Sequence, residues 1–354
     1  MIKKPIILYE GKYNHSELTK IKKNNRIIKE VDIYKQQLTE LFEINNPGLR
    51  SSTQYFKQLK TFINYKIKKN KTNYGNWIYF PWKFTLIHCV NENDYFTLRT
   101  NRNRNMITSE EQIILKNLTI GIVGLSIGNW MALNLVYSGI ASTLKLAEKD
   151  ILETSNLNRI RATLDKIGQQ KIDITTQQIY EINPYANLFT FPKGLNNSNL
   201  VDFFSEPKQN LIVEAIDDFE IKIRLRIYAK KYKVPVIMLT NLGDNILIDV
   251  ERYDLNNKMP LFNGLIDDNL IKKILNKKLS PEDKKMIAVK LVGIENIPLR
   301  ALASVKEIGK TLVARPQLMS TVSTSGGLIP YLVRRMIFGN LKSMRKLISL
   351  DNVI

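Results

Sequence analysis

Apolar positions recur at helical spacing twice near the start of the chain. Ile27, Ile28, Val31, Ile33, Leu38, Leu41 and Phe42 mark one stretch over 27–44, and Tyr55, Phe56, Leu59, Phe62, Ile63 and Ile67 another over 54–69. Each stretch ends in polar or Gly/Pro punctuation, so two amphipathic helices are predicted. Residues 77–98 read instead as short β-rich segments broken at Pro81. Thr108 followed by Glu110 and Glu111 then marks a helix start, with a capping side chain and first-turn acids.

From Leu118 the pattern alternates. Short apolar runs at 118–123, 143–147, 188–191, 211–215 and 234–240 are separated by helical stretches at 130–137, 169–182 and 219–232. Strands alternating with helices imply a parallel sheet with right-handed crossovers. Residues 245–253 alternate like an outer strand. The remainder reads as mainly helical, with a capped start at Ser280-Pro281-Glu282-Asp283 and apolar segments at 298–312 and 326–349. The expected fold class is α/β. It is a Rossmann-like, mostly parallel sheet flanked by helices, with a small helical N-terminal region (1–75), a nucleotide-binding domain (76–260, core 106–255) and a helical C-terminal region (261–354).

Composition changes this picture in three ways. No apolar run approaches the roughly 18–20 residues of a membrane span, and the short basic-apolar start reads as a first strand or a disordered start rather than a leader. The single cysteine, Cys89, excludes an internal disulfide and a Cys-rich zinc site, and two histidines, His15 and His88, leave little for a histidine site. A cytoplasmic location is expected. The net charge of +20 is uneven, since residues 1–75 hold 16 Lys and Arg against 6 Asp and Glu, half of the surplus. Such a face attracts polyanions, but nucleic acid is not the favoured partner.

The candidate chemistry lies at strand ends. Gly124-Leu125-Ser126-Ile127-Gly128-Asn129 follows the first strand of the alternating region. Glycines there let a phosphate approach the backbone, and the helix behind offers N–H groups. Ser126 and Asn129 stand where a dinucleotide fingerprint has glycines; Ser126 suits a phosphate contact or a plain turn. Glu148, at the end of the next strand, is placed to accept from ribose hydroxyls. Ser155-Asn156-Leu157-Asn158-Arg159, Gly168-Gln169-Gln170-Lys171, Ile182-Asn183-Pro184 and Ala215-Ile216-Asp217-Asp218 follow in order. An Arg and a Lys from consecutive loops suit a triphosphate, and an Asp at a strand's carboxyl end suits Mg2+ shared with phosphates.

This ordered set resembles the ThiF/MoeB/HesA superfamily of carboxylate-adenylating, ubiquitin-activating-like enzymes, from about Arg99 to Tyr253. Asp150 to Arg159 looks like that family's D-x-V-x-x-S-N-L-x-R signature. The resemblance implies ATP and Mg2+ as ligands. Gly124, Ser126 and Gly128 would form the phosphate turn and Glu148 would hold the ribose. Asn156, Arg159 and Lys171 would hold the triphosphate, and Asp217 the metal. It also implies an arginine ahead of the first strand, Arg102 with Arg104 as its rival, reaching the site of a second copy in a homodimer. Family members often hold zinc with two C-x-x-C pairs, absent here, and Thr311-Leu312-Val313-Ala314-Arg315-Pro316 resembles the crossover region without its nucleophile, so neither zinc nor a thioester step is expected. Pro81-Trp82-Lys83, Arg102 to Asn105, Ile107 to Gln112 and Asp249 to Leu255 resemble a subgroup whose members precede a nitroreductase-like domain.

The implied activity is ATP-dependent adenylation of a carboxylate on a peptide or small protein. The alternatives are a tRNA-modifying carboxylate-activating dehydratase, a nicotinamide- or flavin-binding protein, and a non-catalytic nucleotide-binding or scaffold protein of the same fold.

Overall fold

The computed structural model describes residues 4–69, 73–276 and 279–352. The chain divides into two compact units, one of 1–113, 137–139 and 177–186, the other of 114–136, 140–176 and 187–354. The expected boundary at 75/76 is not where the chain divides, because strands on both sides of it share one sheet.

In the first unit β1 (Ile6–Leu8), α1 (His15–Asn24), β2 (Lys29–Asp32), α2 (Tyr34–Asn45), α3 (Tyr55–Lys69), β3 (Asn76–Phe80), β4 (Thr85–Cys89), α4 (Glu92–Thr100) and α5 (Ser109–Lys116) follow one another. The sheet order is β1-β3-β4-β2, with β3 and β4 a hairpin and β2 parallel to β4. The single helix expected over 27–44 is therefore corrected. Lys29 to Asp32 pair with Thr85 to His88, flanked by Ile28 N–H to Phe84 O at 2.8 Å and Ile33 N–H to His88 O at 3.0 Å. Ladder bonds on an available edge outweigh the local periodicity of this β-branched stretch. The helix begins only at Tyr34 and buries Tyr34, Leu38, Leu41 and Phe42. The β-rich reading of 77–98 is corrected at its end as well. Asn91 accepts from Asp94 N–H at 3.0 Å and starts a helix with Glu92 and Asp94 in its first turn. Thr108 and Glu111 form the expected reciprocal cap, at 2.9 and 3.2 Å. Cys89 is buried on β4, and burial pushes its thiol up to about 12.

The second unit is built on β5 (Thr119–Val123), α6 (Gly128–Tyr137), β6 (Thr143–Ala147), α7 (Lys171–Ile182), β7 (Asn187–Phe191), α8 (Leu200–Phe204), β8 (Leu211–Glu214), α9 (Phe219–Tyr232), β9 (Val236–Leu242) and β10 (Asn245–Glu251). After these come α10 (Asp268–Asn276), α11 (Pro281–Val292), α12 (Leu299–Val305), α13 (Met319–Phe338) and β11 (Met344–Ser349). The sheet runs β11-β10-β9-β8-β5-β6-β7, parallel from β9 to β7 and antiparallel at β10 and β11. Every residue of β5, β8 and β10 is buried, so these strands are covered on both faces. Two expectations change here. β10 is not the outer strand, and residues 344–349 are not helical. The last long helix stops at Gly339, and Met344 to Ser349 then pair along the edge β10 would otherwise leave open.

Inside this unit lies a buried charged cluster. Arg226, fully buried on α9, donates through Nε to Glu251 at 2.6 Å and through a terminal nitrogen to Glu214 at 2.9 Å. Lys222 Nζ donates to both Glu214 oxygens, at 2.7 and 2.9 Å. Burial alone would raise the Glu214 carboxyl, but Lys222 and Arg226 together hold it below its usual value. Tyr253 O–H and Phe262 N–H satisfy Glu251, and the Phe262 ring lies 3.9 Å from the Arg226 guanidinium.

Candidate functional site

The site grows from the carboxyl ends of β5, β6 and β8. Gly124 N–H bonds Ala147 O at 2.9 Å on one side, and Ala215 N–H bonds Val123 O at 2.8 Å on the other. Between them Gly124 takes φ +87, and a Cβ there would stand 2.4 Å from Ala215 O, so only glycine fits. Gly128 opens α6 close against β5, where a Cβ would meet the Ile122 side chain at 3.2 Å. Ser126, between the two glycines, is partly exposed. Asn129 is buried and donates to Thr175 Oγ1 at 2.9 Å, so the residue in the third glycine position braces α7.

Glu148 joins three pieces of this edge. Oε2 accepts from Leu125 N–H in the turn at 2.7 Å, and Oε1 from Lys149 N–H at 2.7 Å and Asp150 N–H at 2.9 Å. A carboxylate has about four acceptor positions, which leaves room for one ribose hydroxyl. Asp150 in turn lies 3.4 Å from Lys171 Nζ, and Lys171 N–H bonds Asp150 O at 2.9 Å. Lys171 heads α7 and is nearly buried. Thus the Gly124 turn, Glu148, Asp150 and Lys171 form one connected set.

Asn156 is buried and its Oδ1 caps the turn Thr154–Asn156 through Glu153 N–H at 3.3 Å. That turn positions Arg159, which donates to Ser155 O at 3.1 Å and Asn158 Oδ1 at 2.9 Å, while Trp130 Nε1–H bonds Arg159 O at 2.9 Å. Burial lowers the Arg159 guanidinium from its ordinary value, opposed by Asp217 and reinforced by Arg315. Asp217 and Arg315 therefore each lie within electrostatic reach of Arg159. At the end of β8 the two aspartates divide their tasks. Asp218 caps α9 through Ile221 N–H at 3.1 Å, whereas Asp217 is exposed. Arg102 and Arg104 are exposed residues of the first unit and are not among those gathered here. Arg99 of that unit lays its guanidinium against the Tyr95 and Phe96 rings at 5.9 and 5.8 Å.

Residues 100–243 match the model of the ThiF family. The chain carries a ThiF-family domain. The uncharacterized protein MT1398 of Mycobacterium tuberculosis is 34% identical over 263 residues, which is 74% of this chain and 36% of that protein. The tRNA threonylcarbamoyladenosine dehydratase of Bacillus subtilis is 28% identical over 156 residues, 44% of this chain and 60% of that protein. The chain thus spans 36% and 60% of the lengths of these two curated relatives. Among solved structures, Escherichia coli MccB with ATP aligns over 89% of this chain and 84% of its own at a TM-score of 0.51 and 16% identity. That likeness shows a Rossmann-like fold.

Beside the strand ends, the ThiF domain and the helices after it enclose a cavity of about 720 Å3. Asp217 and Arg315 line it, together with Glu214, Lys222, Asn241 and apolar residues of β9, α11 and α12. Arg315 lies between α12 and α13, and nothing in its local sequence marks it as a site cation. Among the described residues no group of three or more His, Cys, Asp or Glu could hold a metal. Mg2+ at exposed Asp217 would take its remaining oxygens from phosphates and water, the mode this ion favours. Among the described residues no helix is long and apolar enough to cross a membrane.

Proposed function

We propose that the protein is an ATP-dependent adenylyltransferase that activates a carboxylate, on a peptide or protein C-terminus, as an acyl-adenylate without a thioester step. The observation carrying this reading is the joining of the Gly124 turn to Lys171 through Glu148 and Asp150, with Arg159 and Asp217 in mutual electrostatic reach. Hydride transfer would need none of these charges.

The triphosphate would lie over the turn, its ribose on Glu148. A carboxylate oxygen of the substrate attacks the α-phosphorus, the bond to the bridging oxygen of pyrophosphate breaks, and that oxygen leaves with the electron pair. The nucleophile is already ionised, so no protein base is required. Arg159 and Lys171 neutralise charge as it moves to the leaving group, and Asn156 fixes the turn that aims Arg159. Mg2+ bound at Asp217 would supply further charge neutralisation. Arg102 would complete the site of a second copy in a homodimer acting in the cytoplasm.

Pyrophosphate–ATP exchange dependent on an added carboxylate tests the reaction. Thermal shift with ATP and Mg2+ tests the nucleotide site, since a ligand at 100 times its Kd stabilises by about 2.7 kcal/mol. Absence of both effects refutes the proposal. The Bacillus subtilis match and the charge of +20 favour a second reading, activation of a carboxylate on tRNA. Salt-sensitive tRNA binding together with tRNA-dependent exchange would select it.

A further inference from the structure

Helix α3 of the first unit has one side occupied and one side open. On the inner side Phe62, Ile63 and Ile67 pack against the buried cluster of Tyr34, Leu38, Leu41 and Val90. The outer side carries Lys57, Lys60 and Lys68, all exposed, and α3 has no acidic residue along its length. Lys66 is paired with Asp94 at 2.8 Å, and Glu43 is engaged by Tyr55 O–H at 2.7 Å. Among the described residues the three outer lysines make no hydrogen bond or ion pair.

Two aromatic rings border the same side. Phe56 is 80% exposed and Tyr65 61% exposed. With about 3.6 residues per turn they fall on opposite flanks of the outer side, and the three lysines fall between them. Phe56 leans edge-on against Tyr55, with ring centroids 5.1 Å apart. Lys57 and Lys68 stand about 16 Å apart along the helix axis. That span suits a chain of phosphates better than a single anion.

The order of residues on this side discriminates among polyanionic partners. An interfacial membrane helix needs a free apolar face, and that of α3 is already packed. A protein interface depletes lysine at its centre and enriches aromatic residues, whereas α3 has lysine at the centre and aromatics at the rim. Single-stranded nucleic acid matches this order, since its backbone follows positive charge while its bases splay onto aromatic rings. Duplex DNA keeps its bases stacked and offers such a helix only phosphates, whereas unpaired, splayed bases are what proteins read in RNA loops and ends. The surplus in residues 1–75, 16 Lys and Arg against 6 Asp and Glu, adds long-range attraction for the same ligand.

We propose that the outer side of α3 binds a single-stranded segment of RNA, with phosphates on Lys57, Lys60 and Lys68 and bases stacked on Phe56 and Tyr65. This goes beyond the adenylation reading and stands independently of it.

The test follows the fluorescence anisotropy of a labelled, unstructured RNA oligonucleotide titrated with the full chain at several salt concentrations. Lys57→Gln/Lys60→Gln/Lys68→Gln should reduce the slope of log K against log salt by about two, at about 0.7 for each lost contact. Phe56→Ala/Tyr65→Ala should weaken RNA binding about tenfold or more with the slope unchanged. The same variant should bind heparin, a polyanion without bases, as the wild type does. These positions are exposed, so unfolding midpoints and the thermal shift with ATP should match wild type, and the nucleotide site is thereby read separately. Should a combined variant fail to fold, Lys60→Gln and Phe56→Ala decide, with a slope change of about 0.7 and a loss of about fivefold or more. No RNA binding at low salt, a lysine variant with the wild-type slope, or an aromatic variant with the wild-type affinity would each overturn the proposal. So would tighter binding of duplex DNA, of a DNA strand of the same sequence, or of phosphatidylserine vesicles than of the RNA.

Discussion

Arg226→Met is the substitution whose consequence can be worked furthest. It removes the one cation that bonds both Glu214 and Glu251, at 2.9 and 2.6 Å, from a place with no solvent exposure. Met fills much of the volume, so the loss is mainly electrostatic. Two buried carboxylates would then face the single ammonium of Lys222, with Glu251 left to Tyr253 O–H and Phe262 N–H. Orphaning a buried charge of this kind costs about 3–5 kcal/mol, a large part of the roughly 5–15 kcal/mol that holds a domain folded. Urea denaturation should show the midpoint falling without a change of slope. Adding Glu251→Gln should recover about half of the loss, because the orphaned charge is then gone. Glu214 also accepts from Ile216 N–H at 2.9 Å, one residue before Asp217. The single variant should accordingly bind ATP and Mg2+ more weakly even where it remains folded. A cost below about 1 kcal/mol, or a double variant no better than the single, would refute the reasoning.

Other substitutions probe separate features. Gly124→Ala forces a side chain into φ +87 against Ala215 O, and should cost about 1–3 kcal/mol and abolish the thermal shift with ATP. Lys171→Met should leave the unfolding free energy within about 1 kcal/mol of wild type and lower exchange activity about a hundredfold; unchanged exchange removes Lys171 from the mechanism. Burial raises the Asp249 carboxyl to about 6 from 3.8, against the attraction of Arg345. The folded state then holds the proton more tightly than the unfolded one, so this contribution is present below pH 4 and lost as pH rises through about 6. Asp249→Asn should raise stability at pH 8 by up to about 3 kcal/mol and flatten the pH dependence in between, as calorimetry across that range would record.

The central strands were legible because they are continuous apolar runs followed by helices at regular intervals, and that signal needs no knowledge of what lies beside them. The small edge strands were not. Lys29-Glu30-Val31-Asp32 has one apolar residue and becomes a strand only because Thr85 to His88 offer an edge. Met344 to Ser349 likewise depend on β10. Glu148 and Asp217 follow strand ends, Lys171 opens a helix and Arg159 ends the S-N-L-N-R run between them, so ordered spacing marks all four as candidates. Asn241 and Arg315 could not be marked in this way, because their neighbourhood forms only when segments far apart in sequence fold together. The buried Arg226 was equally hidden, for a basic residue in a helix rich in Lys and Arg reads as surface.

The tether from Glu148 to the amide of Leu125 has one more consequence. It sets the shape of the loop before any nucleotide arrives, so association requires little entropy loss from this segment. Severing the tether with Glu148→Ala should therefore slow capture of ATP through a disordered entrance, beyond any loss of the ribose contact.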